Sequence, residues 1–159
     1  MRGGCSGLRP SLRALSKHVS VEAWPLVVAR LPSVATDEDF RAILADFDGI
    51  YALREPFFGI VDSRPMLVAP TPVQRRMIVD WSRRRSADTE ELGLGTAYVV
   101  ANPVIRAALA ALSFLFEQPS PSYYVGTMEE ALAQAEAELG ERGLPCPSGL
   151  DELRRPRKT

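Results

Sequence analysis

Three consecutive polar residues, Asp62, Ser63 and Arg64, follow an apolar run of five residues from Phe57 to Val61. Such a run is typical of a strand buried on both faces, so the three side chains are expected at its carboxyl end. In a parallel α/β sheet, the carboxyl ends of the strands and the N-termini of the next helices share one edge, where ligands usually bind. A carboxylate, a hydroxyl and a guanidinium at this edge predict a site for an anion or a partner protein.

Two arginines, Arg75 and Arg76, begin a second basic group that continues with three arginines at positions 83–85. They fall on a predicted helix just downstream of Asp62, so Arg75 and Arg76 are further candidates for contact with a partner or an anion. A simpler interpretation is a solvated helix face. Aromatic side chains for base stacking are missing nearby, so the pattern does not predict nucleic-acid binding.

The sequence contains few of the residues that usually carry catalysis or bind metals. His18 is the only histidine, and the two cysteines, Cys5 and Cys146, lie near the two ends of the chain. These side chains cannot supply a multi-histidine metal site or an ordinary serine-histidine-aspartate triad in the core. We therefore predict no catalytic residues, no metal and no cofactor, and a protein that is not an enzyme.

The elements that must position these residues are indicated by four apolar runs, each leading into a helix-capping residue. The runs are Leu26 to Leu31, Phe57 to Val61, Ala97 to Ala101 and Tyr123 to Val125, and the caps are Thr36, Thr71, Asn102 and Thr127. Strands alternating with capped amphipathic helices predict an α/β domain with a mostly parallel sheet. Alternation around Val19 and Val21 adds an edge strand that pairs as a hairpin, giving about five strands and four helices.

The side chains expected inside follow the helical period. On the second helix they are Val73, Met77, Ile78 and Trp81. Ser86 to Gly95 is polar and acidic and is predicted to be a loop. A closed core filled by aromatic residues at positions 47, 57, 58 and 81 would leave no room for a ligand, so cavity volume is a useful discriminator between functions.

Composition bounds the organisation of the chain. The 159 residues are 46% hydrophobic and 25% charged, with a net charge of −1, which is typical of one globular domain. We predict a flexible basic arm over 1–17, a single domain over 18–143 and a basic, proline-containing tail over 144–159. No apolar stretch reaches the ~20 residues that span a bilayer, and no continuous apolar signal segment is evident, so a cytoplasmic location is expected.

The order of elements, together with the segment from Phe58 to Ser63, resembles the STAS domain of anti-sigma-factor antagonists and a group of bacterial STAS/SEC14-like proteins. The similarity extends over roughly residues 18 to 143 and includes Thr36 to Phe40, Trp81 and Thr127 to Ala131. In the antagonists a strand leads into Asp-Ser-Ser-Gly, and a partner kinase phosphorylates the second serine. Here Arg64 and Pro65 occupy the last two positions, so the resemblance implies no intact phosphoserine motif.

Two functions follow as expectations. The first is a non-enzymatic regulatory or scaffolding domain that binds a protein partner through Asp62 to Arg64 and the second helix; a homodimer is left open. The alternative is a small-molecule or lipid-binding domain, because the related SEC14-like fold houses apolar ligands.

Overall fold

A computed structural model describes residues 15–147 and 150–154. The strands are β1 (Val19–Ser20), β2 (Leu26–Arg30), β3 (Phe57–Asp62), β4 (Gly93–Val99) and β5 (Ser122–Val125). The helices are α1 (Asp37–Tyr51), α2 (Pro72–Arg84), α3 (Ser86–Leu92), α4 (Pro103–Leu112), α5 (Met128–Glu141) and α6 (Leu150–Arg154). These elements confirm the predicted α/β class.

The five strands form one sheet in the order β1-β2-β3-β4-β5. β1 pairs antiparallel with β2, as the predicted hairpin requires, and the remaining neighbours are parallel. Because each parallel strand lies beside its predecessor, the helices that link them cover the same face of the sheet. The prediction of a mostly parallel sheet of about five strands is confirmed.

All four predicted capping residues begin helices. The hydroxyls of Thr36, Thr71 and Thr127 and the side-chain oxygen of Asn102 accept hydrogen bonds from backbone N–H groups in the first turn. At Thr36 and Thr71 the hydrogen bonds form a capping box, because the side chains of Asp39 and Gln74 in turn accept from the backbone N–H of the capping residue. These bonds satisfy donors that no helical carbonyl can reach.

The core consists of two apolar clusters, one on each face of the sheet. The first packs α1, α2 and α4 onto alternate residues of the strands, including Val27, Ala29 and Phe57. The second packs α5 and the start of α6 onto the intervening residues, including Phe58 and Ile60. The twofold alternation of strand side chains therefore divides the run from Phe57 to Asp62 between two layers.

The segment predicted as a polar loop from Ser86 to Gly95 is different in the structure. It contains α3 and the first residues of β4. α3 is held by pairs with distant residues: the Arg54 guanidinium binds Asp88 and Glu91, and the Tyr51 hydroxyl lies 2.8 Å from that of Thr89. These contacts are polar and come from residues distant in sequence, so the local sequence shows no helical repeat of apolar residues. This explains why the helix was not predicted.

The inward face of α2 also differs from the predicted stripe. Val73 is exposed, whereas Gln74 is buried. The Gln74 amide closes the capping box and also donates to the Ala35 carbonyl at 2.9 Å and to an Asp37 carboxylate oxygen at 3.1 Å. Met77, Ile78 and Trp81 are partly buried against the first cluster as predicted.

The described ends of the chain contact the domain. Leu15 packs against the first cluster, and the Ser16 hydroxyl donates to Asp46. Within the segment from residue 144 that was predicted as a tail, Leu144 and Leu150 pack against the second cluster, and Arg154 forms ion pairs with α5. Most of the predicted arm, with Cys5, and residues 155–159 lie outside the described part of the chain.

Candidate functional site

Asp62 and Arg64 form a compact pair at the carboxyl end of β3. The Arg64 backbone N–H, Nε and Nη2 donate to the Asp62 carboxylate at 3.2, 2.9 and 2.9 Å. Asp62 is 3% exposed, and Arg30 Nε lies 3.9 Å from it. These hydrogen bonds raise the pKa of the Arg64 guanidinium above its ordinary value. The carboxylate predicted as a binding group is thus already compensated within the chain.

Ser63 is enclosed rather than presented to solvent. It is 2% exposed, and its Oγ has no hydrogen-bond partner among the described residues. Its N–H donates to the Val99 carbonyl on the neighbouring strand at 2.9 Å. A residue that binds a partner must be accessible, and Ser63 is not, because this backbone hydrogen bond continues the β3–β4 pairing one residue beyond Asp62 and turns the side chain inward.

Arg75 and Arg76 lie on the exposed face of α2. Neither makes a hydrogen bond or ion pair with Asp62, Ser63 or Arg64. The structure therefore brings together three of the five predicted site residues, through one loop, and leaves the two helical arginines in solvent.

The carboxyl-terminal edge, meaning the connections that follow β2, β3 and β4 and the helix N-termini beside them, carries exposed apolar side chains. Leu67 is 74% exposed and Val34 is 62% exposed. The Leu67 backbone N–H donates to the Ser33 carbonyl at 2.9 Å, and this hydrogen bond joins the two connections that carry Leu67 and Val34. Val68, Val73 and Val104 are exposed in the same group of segments.

A cavity of about 190 Å³ lies between the first face of the sheet and the helices that cover it. Its floor comes from β2 to β5, and its walls come from α1, α2, α4 and the connection 113–120. The exposed residues Glu117 and Pro119 line it, which places an opening at this connection. The volume exceeds the roughly 150 Å³ of an apolar cavity known to hold benzene.

The cavity exists because a row of small side chains crosses the sheet. Gly59 pairs with Thr96, and Thr96 pairs with Ser122. The next row on the same face carries Val61, Tyr98 and Tyr124, which are larger. Side chains of the small row reach less far toward the helices than those of the large row, so the small row leaves space beneath the helices.

Aromatic residues form much of the wall without filling the space. Phe47 and Trp81 meet edge to face with ring centroids 6.1 Å apart, and Tyr51 and Phe57 do so at 5.1 Å. The Trp81 indole N–H donates to the Asp48 carboxylate at 2.8 Å, which fixes its ring at the wall. Phe58 belongs to the opposite face, so the four aromatic residues do not close one core.

Three tyrosines bring hydroxyl groups to the cavity. Tyr98 stacks on Tyr124 with ring centroids 5.1 Å apart and planes 14° apart. The Tyr51 hydroxyl is engaged with Thr89, and that of Tyr124 lies 3.5 Å from the Leu109 carbonyl. Burial raises the pKa of all three phenols above the ordinary value of 10, so each remains a hydrogen-bond donor at neutral pH.

Sequence reasoning missed this site, although one signal was present. Gly59 interrupts an otherwise bulky buried strand, and a glycine there often marks close approach of a ligand or another backbone. That Thr96 and Ser122 stand beside it follows from strand register, which the sequence alone does not provide.

Within 15–147 and 150–154, no group of three or more histidine, cysteine, aspartate or glutamate side chains is placed to hold a metal ion. No helix in those ranges is both long enough and apolar enough to cross a bilayer. The chain matches no protein-family model and no curated protein.

Proposed function

We propose that this protein is a binding domain for a small, mostly apolar molecule held in the cavity between the sheet and α1, α2 and α4. The observation that carries the proposal is the cavity of about 190 Å³, with apolar and aromatic walls and an opening at the connection 113–120. Ligand sites are typically concave and apolar with a few placed polar groups, and this cavity has that character. The expected similarity to SEC14-like proteins is compatible with the proposal and stays a prediction.

A titration with toluene, followed by NMR of methyl groups, tests the proposal. Leu109, Ile43 and Ile78 line the cavity, whereas Leu132 and Leu139 lie in the second cluster on the opposite face. We expect saturable shifts in the first group and smaller, non-saturating changes in the second. Absence of saturable shifts in the cavity methyl groups would contradict the proposal.

A pair of glycine variants makes the titration specific. A Cβ at Gly59 would meet Thr96 at 3.5 and 3.7 Å, which is ordinary contact, so the larger side chain of Gly59→Val extends into the cavity. We expect Gly59→Val to lose toluene binding. Gly49→Ala, in a helix where an added Cβ meets nothing within 4 Å, is the control and is expected to bind like the wild type. Ser82→Leu, from the wall on α2, is a second route to filling the space.

A second candidate function is docking of a protein partner at the carboxyl-terminal edge. The observation that favours it is the group of exposed apolar side chains around Leu67 and Val68, near the exposed Arg75 and Arg76 of α2. Such a surface suits a partner that combines apolar and acidic groups.

Cross-linking in the native cell tests this second candidate. The double variant Leu67→Asp, Val68→Asp should lose cross-linked partners that the wild type retains. Phe114→Asp, at a more exposed position after α4, is the control and should retain them. Identical partners for all three proteins would remove the edge as a docking surface.

A further inference from the structure

The charge of the cavity lining restricts what it can hold. Among the described side chains that line the cavity, only Glu117 is ionisable to a full charge at neutral pH, and it is exposed at the opening. A carboxylate or phosphate inside would be desolvated with no lysine or arginine of the lining to compensate it. An ammonium group would meet only the exposed Glu117. The lining therefore favours an uncharged molecule.

The three tyrosines of the lining differ in whether their hydroxyls have partners. Tyr98 is partly buried on the floor, and its hydroxyl makes no hydrogen bond with any residue in the described ranges. The hydroxyls of Tyr51 and Tyr124, by contrast, have partners within the protein. Stacking on Tyr124 fixes the Tyr98 ring, so its free donor is held in position before any ligand arrives.

Resting on the proposed function, we infer that the cavity selects a compact, uncharged molecule carrying a hydrogen-bond acceptor, such as a ketone or ether oxygen, that binds the Tyr98 hydroxyl. The apolar part of this molecule lies over the row formed by Gly59, Thr96 and Ser122. The aromatic wall around Phe47 and Trp81 contacts its other side. Once a ligand fills the cavity and excludes water, a donor left unpaired is costly, so a ligand that accepts from the Tyr98 hydroxyl gains affinity over one that does not.

Three probes of nearly equal size separate these features. Acetophenone is uncharged and has an acceptor, ethylbenzene is uncharged and has none, and benzoate is charged at pH 7. Each is titrated against the wild type, Tyr98→Phe and Tyr123→Phe. The control Tyr123→Phe removes a hydroxyl from the same sheet but on the opposite face, where it binds Glu138.

We expect Tyr98→Phe to weaken acetophenone binding by roughly 3- to 10-fold, the range for one neutral hydrogen bond, and to leave ethylbenzene within twofold. Tyr123→Phe should change neither, and benzoate should bind the wild type most weakly. For the two uncharged probes, comparing the same probe between proteins cancels the difference in water solubility between the probes.

Other outcomes overturn the inference in distinguishable ways. If Tyr98→Phe leaves the affinity for acetophenone unchanged, or weakens binding of both uncharged probes equally, the Tyr98 hydroxyl does not bind the acceptor of the ligand. If benzoate binds as tightly as acetophenone, the cavity does not select against charge. In each of these cases ethylbenzene binding leaves the proposed function standing, whereas failure of all three probes to bind overturns the proposed function itself.

Discussion

The Ser63 hydroxyl is a buried oxygen without a hydrogen-bond partner among the described residues. Removing an unsatisfied polar atom costs no hydrogen bond, so we expect Ser63→Ala to leave the free energy of unfolding unchanged or to raise it by up to about 1 kcal/mol. Chemical denaturation measures this directly. Ser16→Ala is the matched control, because it loses the hydroxyl bonded to Asp46 and should lower stability by about 1 kcal/mol.

A loss of more than 1 kcal/mol in Ser63→Ala would show that the hydroxyl has a stabilising partner. The burial of Ser63 also bears on the phosphoserine interpretation. A kinase would have to open the turn after β3 to reach this oxygen, since the side chain is 2% exposed.

Arg64 is a structural residue at least as much as a binding candidate. A charge on an exposed loop is ordinarily worth little to stability. Because Arg64 compensates a carboxylate that is 3% exposed, we expect Arg64→Glu to lower the free energy of unfolding by about 1–3 kcal/mol, less than for a fully buried pair because the guanidinium is partly solvated. Chemical denaturation of Arg64→Glu and of the control Arg75→Glu, whose stability should be nearly unchanged, measures this difference. Equal losses of stability in the two variants would contradict a stabilising pair between Arg64 and Asp62.

At the scale of elements, the start of α1 makes stability depend on acid pH. The Asp39 carboxylate accepts from the Thr36 N–H and lies 3.0 Å from His18 Nε2, and the hydrogen bond to the Thr36 backbone chiefly lowers the Asp39 pKa below its ordinary value of 3.8. A lowered folded-state pKa contributes stability above pH ~4 that is lost as pH falls through the folded pKa.

We therefore expect Asp39→Asn to be less stable than the wild type at neutral pH and to lose less stability on acidification from pH 5 to pH 2.5. Thermal melts across this range measure the difference. Glu38→Gln removes a charge from the same helical turn without touching the capping box and serves as the control. Parallel pH profiles for wild type and Asp39→Asn would contradict the account.

Two glycines on paired strands should respond oppositely to alanine. Gly95 has φ +146° and a Cβ there would lie 2.9 Å from the Phe58 ring, whereas Gly59 has room for one. We expect Gly95→Ala to destabilise by roughly 1–3 kcal/mol, and Gly59→Ala to be neutral or stabilising by up to ~1 kcal/mol. Denaturation midpoints check both. A neutral Gly95→Ala would mean that β4 relaxes around it.

Elements with local signals were predictable from the sequence. The helix starts at Thr36, Thr71, Asn102 and Thr127 depend on side chains within three residues, and the strands depend on uninterrupted apolar runs. α3 depends instead on Arg54 and Tyr51, more than thirty residues away, and the beginning of β4 was hidden by its two glycines.

At the scale of the whole molecule, the fold class was predictable and the cavity was not. A core closed by the four aromatic residues would require all of them to face one layer, but Phe58 belongs to the other. Whether space remains depends on which side chains pair across strands. The row of Gly59, Thr96 and Ser122 comes from three separate segments, so only the register of the sheet reveals it.

The central claim is that an accessible apolar cavity lies over this row. Xenon occupies apolar cavities of this size, so a crystal of the protein pressurised with xenon tests the claim most directly. We predict xenon density within contact of Gly59, Thr96 and Leu109, and none there in crystals of Gly59→Val. Helices packed directly onto the small row, with xenon absent from this layer in the wild type, would contradict the claim.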